Sequence, residues 1–213
     1  MKNYLALDTS GGYLSVVAKK GDCVCRVFVE DCAMKQSSLF MQKIDEALKG
    51  ANLALKDCDF FSAVVGAGSF TGIRIGISAI KGFALATGKP TLPITSFEVM
   101  AYNSLEPKTK TLCLVDALHD SYYACGYDGE EMIFAPSYIT QDEVLELANT
   151  QGFTLRATTN LAISALAPVE LVCPATCLQN AVETLSRKGR FGELTALYVR
   201  KSSAEINRDG GKV

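Results

Sequence analysis

Residues 60–87 read FFSAVVGAGSFTGIRIGISAIKGFALAT, and this stretch decides the fold. Its first part, residues 60–65, is a continuous apolar run with the length of a buried strand. Glycines at positions 66, 68 and 72 follow, and apolar residues at helical spacing then continue to about Thr87. A buried strand that turns through glycines into a helix predicts an α/β protein.

The glycine loop has two interpretations that the sequence leaves open. The free N–H groups of the first helical turn form a potential anion site, and glycines let the backbone approach a ligand closely. The spacing G-x-G-x-x-x-G differs by one residue from the dinucleotide fingerprint, and no Lys-Ser/Thr pair follows as in a P-loop. The alternative is a tight strand-to-helix turn with Ser69 as the helix N-cap.

The helix after the loop is apolar on more than one side. Its main polar residues, Arg74, Ser78 and Lys81, form one narrow stripe. An interior glycine costs a helix about 1 kcal/mol relative to alanine, so Gly76 and Gly82 need a reason. The helix could pack closely against other parts of the same chain, or it could form a subunit interface, and either would explain the glycines. On the second, Gly76→Arg is expected to leave the monomer folded and to abolish association.

The pattern of elements repeats along the chain. Two residues, Asp8 and Asp116, each end an apolar run, and a turn glycine follows thirteen residues later at Gly21 and Gly129. The spacing predicts a duplicated ribonuclease H-like unit, as in actin-like (ASKHA) and sugar-kinase ATPases: two βββαβα-type subdomains, each with a mixed sheet flanked by helices, over residues 1–106 and 107–213. Predicted strands are 3–8, 13–20, 22–30, 60–65, 111–116, 121–127, 130–135 and 153–157, and predicted helices are 37–51, 73–87, 141–150 and 176–188.

Composition limits the function classes. A chain of 213 residues with 48% hydrophobic and 21% charged residues folds around a substantial core, and its net charge of −2 argues against independent nucleic-acid binding. The apolar runs around Cys23, Cys25, Cys113 and Cys125 predict reduced core cysteines. The first apolar run is too short for a signal peptide, and the run 161–173 is interrupted by Ser, Pro and Glu, so we expect a cytoplasmic protein without a membrane segment. Lys201, Arg208 and Lys212 form a polar tail.

The segment 65–82, VGAGSFTGIRIGISAIKG, resembles the signature of the TsaB (YeaZ) family, G-P-G-S-F-T-G-L-R-I-G followed by a small-residue helix. Residues 96–101 are similar to the family's S-L-E-x-x-A helix start, where Thr95 and Glu98 match a capping box. The segments 5–10 and 198–200 also match. Departures are Ala67 in place of Pro, Gln36 in place of His, and residues 116–120, DALHD, in place of a D-A-R-x-G turn.

The resemblance implies a non-catalytic subunit that binds and activates a TsaD-type catalytic subunit. That enzyme transfers threonylcarbamoyl to the adenosine beside the tRNA anticodon. A TsaE-type ATPase joins the assembly, with ATP or ADP near the interface and tRNA bound through the complex, and the same surface offers a homodimer contact. The expected interface residues are Leu39, Phe40, Ile44, Ile73, Gly76, Ile77, Ile80 and Phe83, and the expected nucleotide-proximal residues are Asp8, Thr9, Ser10, Gly68, Ser69 and Arg74.

Alternatives that involve catalysis rest on few residues. An independent actin-like ATPase or small-molecule kinase would use Asp8, Thr9, Ser10 and the glycine loop, but the turn after Asp116 has bulky residues where glycine is needed. A nuclease needs several carboxylates that converge on metal ions, and a metallopeptidase of the H-x-x-x-H type needs more than the single histidine, His119. We therefore expect no catalytic residues, no metal site and no cofactor bound tightly by this chain alone.

Overall fold

The computed structural model describes residues 2–33 and 35–200, and it contains two sheets of the same topology. The first sheet has the order β3-β2-β1-β4-β5 and the second has the order β10-β9-β6-β7-β8. The strands are β1 (Tyr4–Asp8), β2 (Leu14–Lys20), β3 (Cys23–Val29), β4 (Phe60–Val64), β5 (Thr91–Ile94), β6 (Lys110–Asp116), β7 (Ser121–Asp128), β8 (Glu131–Thr140), β9 (Thr154–Ala157) and β10 (Val169–Leu171).

Pairing within the sheets confirms the predicted duplication. β1 pairs antiparallel with β2 and parallel with β4, and β6 pairs in the same way with β7 and β9. The turns that close the two second hairpins both place a glycine in the left-handed region, Gly21 and Gly129, each at φ 57°. The repeated Asp-to-Gly spacing in the sequence therefore reflects equivalent positions in two copies of one unit.

In the described part of the chain, five α-helices separate and cover the sheets: α1 (Gln36–Gly50), α2 (Phe70–Thr87), α3 (Ser96–Ala101), α4 (Gln141–Gln151) and α5 (Pro174–Arg187). One core cluster joins α1 and α2 to one face of the first sheet, and a second joins its opposite face to α5. α3 packs against α5 and also against β6 and β7, so these two helices lie between the sheets. The far face of the second sheet is covered by α4.

The second half departs from the predicted order of elements. The helix expected at 176–188 directly after the strand at 153–157 is α5, and it follows a strand that was not predicted, β10. The counterpart of α2 is reduced to a single 3₁₀ turn, Ala162–Ala165, because residues 158–168 are too few for a long helix and Pro168 ends the turn. Residue 107 falls between the strands of the two sheets, but α5, from the second half, packs against the first sheet.

Burial corrects one prediction about the cysteines. Cys113 and Cys125 are buried as expected, but Cys23 is exposed and Cys25 is half-buried, because β3 is the edge strand of its sheet. No helix in the described part of the chain is long and apolar enough to span a bilayer. The polar tail at Lys201, Arg208 and Lys212 lies outside the described residues.

Candidate functional site

The glycine loop lies directly on the turn between β1 and β2. The Ser69 amide donates to the Ser10 carbonyl oxygen at 2.7 Å, and a side chain on Gly68, at φ 144°, would collide with that same carbonyl. Ser69 caps α2, because its Oγ accepts the Gly72 amide at 3.2 Å. In this structure the glycines allow one loop of the protein to pack on another, and the Ser10 backbone lies directly against Gly68.

Asp8, the carboxylate expected near a nucleotide, is fully buried and has partners from its own turn. Its Oδ1 accepts the Ser10 amide at 2.9 Å and the Ser10 hydroxyl at 2.7 Å, while its Oδ2 accepts the Tyr13 hydroxyl at 2.9 Å. Burial raises the pKa of Asp8, although these three hydrogen bonds oppose the shift. The neighbouring Thr9 donates its hydroxyl to the Gly72 carbonyl at 2.7 Å. The polar groups of residues 8–10 are therefore engaged within the protein.

Tyr13 lies between this buried turn and a neighbouring cavity. A cavity of about 290 Å³ opens nearby, lined by Gly12, Tyr13, Phe28, Glu30, Asp31, Thr158, Thr159, Asn160 and Leu171, and Asp8 is not among its lining residues. The Tyr13 ring is 4% exposed, and Gln36 holds its turn by donating to the carbonyls of Gly11 at 2.8 Å and Tyr13 at 2.7 Å. Tyr13 therefore lines this cavity, while Asp8, which accepts its hydroxyl, lies behind it.

The equivalent turn in the second half is built without glycine. Asp116 Oδ1 accepts the Leu118 amide at 2.8 Å, as Asp8 accepts that of Ser10. Leu118, His119 and Asp120 nevertheless have φ values of 66°, 53° and 52°, in the left-handed region that favours glycine. Leu118 is 65% exposed, so this turn presents an apolar side chain to solvent.

Five of the residues predicted at the partner interface are buried within the chain itself. The side chains of Ile44, Ile73, Ile77 and Ile80 are at most 8% exposed and belong to the core beneath α1 and α2. Gly76 is buried against the first turn, where a Cβ atom would lie 2.5 Å from Thr9 Oγ1. Three predicted residues, Leu39, Phe40 and Phe83, are half-buried at the edge of that core.

A groove between α1 and α2 remains open, and we call it the α1–α2 groove. It has a volume of about 510 Å³ and is lined by Phe40, Phe70, Thr71, Arg74, Ile75, Ser78 and Ala79. Arg74, predicted near a nucleotide, instead lies over the Phe70 ring at 3.7 Å from its centroid and donates from Nε to the Tyr198 hydroxyl at 3.0 Å. Phe70 and Tyr198 stack with centroids 4.9 Å apart. Sequence reasoning missed Tyr13 and Tyr198 as site residues, because no local pattern links them to the glycine loop.

Nowhere in residues 2–33 and 35–200 do three or more His, Cys, Asp or Glu side chains come together as a metal site would require. Of the predicted nucleotide-proximal residues, the structure brings together Asp8, Thr9, Ser10, Gly68 and Ser69, and it turns Arg74 toward the groove.

The two equivalent units, with an Asp turn at the end of the first strand of each, define the class: a duplicated ribonuclease H-like, actin-like α/β protein. The family model described as "TsaD: tRNA N6-adenosine threonylcarbamoyltransferase" matches residues 28–204. The chain belongs to this family, and within it to the TsaB (YeaZ) group.

Comparisons with individual proteins agree with this assignment. The chain is 28% identical over 129 residues to the tRNA threonylcarbamoyladenosine biosynthesis protein TsaB of Escherichia coli, which covers 60% of this chain and 55% of that protein. It is 32% identical over 104 residues to TsaB of Haemophilus influenzae, covering 48% and 43%. The chain thus spans about half the length of the curated relatives it matches. YeaZ from Pseudomonas aeruginosa has the same fold, with a TM-score of 0.78, 21% identity, and 93% and 100% coverage.

Proposed function

We propose that this chain is a non-catalytic subunit of the assembly that forms N6-threonylcarbamoyladenosine in tRNA, and that it binds and activates a TsaD-type catalytic subunit in the cytoplasm. The names of the relatives support the process. The observation that carries the non-catalytic role is the closure of the Asp8 turn, in which Ser10 and Tyr13 occupy both carboxylate oxygens. An independent ATPase or kinase would need that carboxylate to reach a metal or a water molecule.

The α1–α2 groove is the contact surface we propose for the catalytic subunit. Its floor is apolar at Phe40, Ile75 and Ala79, and Phe70 beside them is 38% exposed. Met41, next to the groove on α1, is 52% exposed. Arg74 is already fixed over Phe70, so an arginine and an aromatic ring are presented in one preorganised unit, and both residue types are enriched at protein interfaces. Without the partner, the same groove provides a homodimer contact.

On this proposal, nucleotide and tRNA are bound by the assembly and not by this chain alone. ATP or ADP near the interface, a TsaE-type ATPase and tRNA bound through the catalytic subunit are parts of the same proposal. The packing of Gly68 and Ser69 onto Ser10 supports it, because the loop has little room for phosphate while the turn stays closed.

Ile75→Arg tests the proposal together with the matched variant Leu166→Arg. Ile75 is half-buried in the groove, whereas Leu166 is 60% exposed in the second half of the chain, so both changes place arginine at an accessible apolar position. We expect Ile75→Arg to weaken binding to the TsaD-type subunit at least a hundredfold, because the charge would be buried without a partner, and Leu166→Arg to bind normally. Light scattering measures complex formation, and modified adenosine in tRNA measures activity.

Two results would contradict the proposal. Equal binding by Ile75→Arg and Leu166→Arg would exclude the α1–α2 groove as the contact. ATP turnover by the purified chain alone, lost in Asp8→Asn, would favour the independent enzyme.

A further inference from the structure

A second pocket lies on the opposite face of the first sheet, at the start of β1 and far along the strand from the glycine loop. It has a volume of about 320 Å³ and is lined by Lys2, Tyr4, Lys19, Glu183, Ser186 and Arg187. The first strands and the last turn of α5 form its walls, because Tyr4 and Lys19 are cross-strand neighbours and α5 packs over β1 and β2. This volume falls within the range of small-molecule sites.

The Tyr4 side chain forms part of the wall of this pocket, and its hydroxyl lies close to the Glu183 carboxylate. Tyr4 is 2% exposed, and its hydroxyl has no hydrogen-bond partner among the described residues. Its ring is fixed by stacking on Phe60, with centroids 5.3 Å apart. Burial, reinforced by the nearby Glu183 carboxylate, raises the pKa of Tyr4, so the hydroxyl keeps its proton. A buried polar group without a partner is uncommon in folded proteins and calls for an acceptor.

The charged groups around Tyr4 favour an anion. Lys19 is 7% exposed and forms an ion pair of 2.7 Å with Glu183, which neutralises the one carboxylate that the described residues contribute to the lining. Lys2 lies over the Phe191 ring at 4.4 Å and Arg187 lines the rim, so two further cations face the pocket. Arg187 donates from Nε to the Glu183 carbonyl and from Nη2 to Thr184 Oγ1, both at 3.3 Å, and its guanidinium has further N–H groups.

The geometry points to a binding site for a small organic anion, with a phosphate or carboxylate group that accepts from the Tyr4 hydroxyl and is neutralised by Lys2 and Arg187. Lys2 and Arg187 can only donate, and the Tyr4 hydroxyl can donate as well, so these groups favour a ligand that supplies acceptors and negative charge. Lys19 and Glu183 form the fixed wall that orients the group, and the Tyr4 ring, held by stacking on Phe60, supports the apolar part of the ligand.

The test uses the full ¹⁵N-labelled chain and three probes: AMP, adenosine and citrate. We expect saturable amide shifts confined to residues 2–4, 19 and 183–187 with AMP, with citrate or with both, and no such shifts with adenosine. A response to AMP alone assigns phosphate, and a response to citrate alone assigns carboxylate. Affinity is expected to fall with added salt, because the site is partly open to solvent.

Variants separate binding from folding. Tyr4→Phe removes only the hydroxyl and should weaken binding at least tenfold while the melting temperature shows that the chain stays folded, since a hydrogen bond to a charged ligand is lost. Lys2→Ala should weaken binding several-fold, and Lys81→Ala, the same change on exposed α2, should leave it unaltered.

Several outcomes would overturn the site: no saturable shift with AMP or citrate, equal shifts with adenosine and AMP, or unchanged affinity in Tyr4→Phe. A response to short oligoribonucleotides without one to AMP or citrate would also overturn it, by assigning the cations to an RNA backbone. The pocket and the α1–α2 groove lie on opposite faces of the first sheet, so the failure of either proposal leaves the other standing.

Discussion

Replacing Gly76 with alanine tests whether α2 is held against the chain's own first turn. A Cβ atom at position 76 would lie 2.5 Å from Thr9 Oγ1, closer than van der Waals contact permits. Gly82 is on the same helix, is exposed, and has no atom within 4 Å of the added carbon. The two substitutions are chemically identical, so their difference isolates the contact with Thr9.

The expected magnitudes follow from two opposing effects. Alanine in place of glycine in a helix contributes about 1 kcal/mol to the free energy of unfolding, and overpacking a well-filled core costs about 1–3 kcal/mol. Gly82→Ala should therefore stabilise the protein by about 1 kcal/mol, while Gly76→Ala should fall between neutral and about 2 kcal/mol destabilising. The difference between the variants is about 1–3 kcal/mol.

Urea unfolding followed by circular dichroism measures both variants, with unchanged m-values as the check on two-state behaviour. Thr9→Ala removes the contacting hydroxyl, so Gly76→Ala should cost at least about 1 kcal/mol less in that background, as a double-mutant cycle reports. If Gly76→Ala stabilised the protein as much as Gly82→Ala does, Gly76 would not be packed against Thr9. Gly76 would then be available to a partner.

Four further variants test other parts of the structure. Burial raises the pKa of Asp8, so the folded state binds the Asp8 proton more tightly than the unfolded state does. The free energy of unfolding relative to Asp8→Asn should therefore fall as pH rises from about 4 and level off above the raised pKa. Parallel pH profiles of the two proteins in urea titrations would refute this. Leu118→Gly should stabilise the second turn by up to about 1 kcal/mol, because glycine tolerates φ 66° and the leucine is mostly exposed; thermal unfolding with Leu166→Gly as control measures it. Arg156 is 1% exposed and donates to Met100 O at 3.1 Å and to Glu170 Oε2 at 2.7 Å. Glu170→Met leaves the buried cation without its carboxylate and should lower the free energy of unfolding by about 3 kcal/mol, and Arg156→Met should lower it by about 2 kcal/mol. The reverse order in urea unfolding would show that an unpaired Glu170 carboxylate is more destabilising than an unpaired Arg156.

The burial of Gly76 shows what sequence reasoning about interfaces leaves open. A helix with apolar residues on several sides must bury those sides. Its sequence is the same whether they are buried against a partner subunit or against the rest of the chain. The first sheet covers Ile73, Ile77 and Ile80, so the expected effect of Gly76→Arg changes from lost association to lost folding. The surface left open is offset around the helix, at Ile75 and Ala79.

The candidate site was predicted in its members but not in their roles. Asp8, Ser10 and Gly68 were predicted to lie near a nucleotide, and the structure places them beside one another, because β1 and β4 are neighbours and the turn and the loop that follow them meet. Their use as mutual hydrogen-bond partners depends on Tyr13, whose orientation no periodicity encodes. The stacking of Tyr198 on Phe70 joins positions far apart in the chain, so the sequence pattern did not predict it either.

By itself, the sequence determined every strand except β5 and β10, the long helices, the duplicated unit and the family. Each of these depends on local periodicity, turn glycines or a contiguous motif, and such signals persist within a short window of residues. Only the tertiary structure decided which face of α2 is buried, that α5 crosses to the first sheet, and that the glycine loop is filled by the Ser10 turn. These features depend on contacts between segments that are distant in sequence. The packing free energy that favours one arrangement over another arises only when the sheets and helices are assembled.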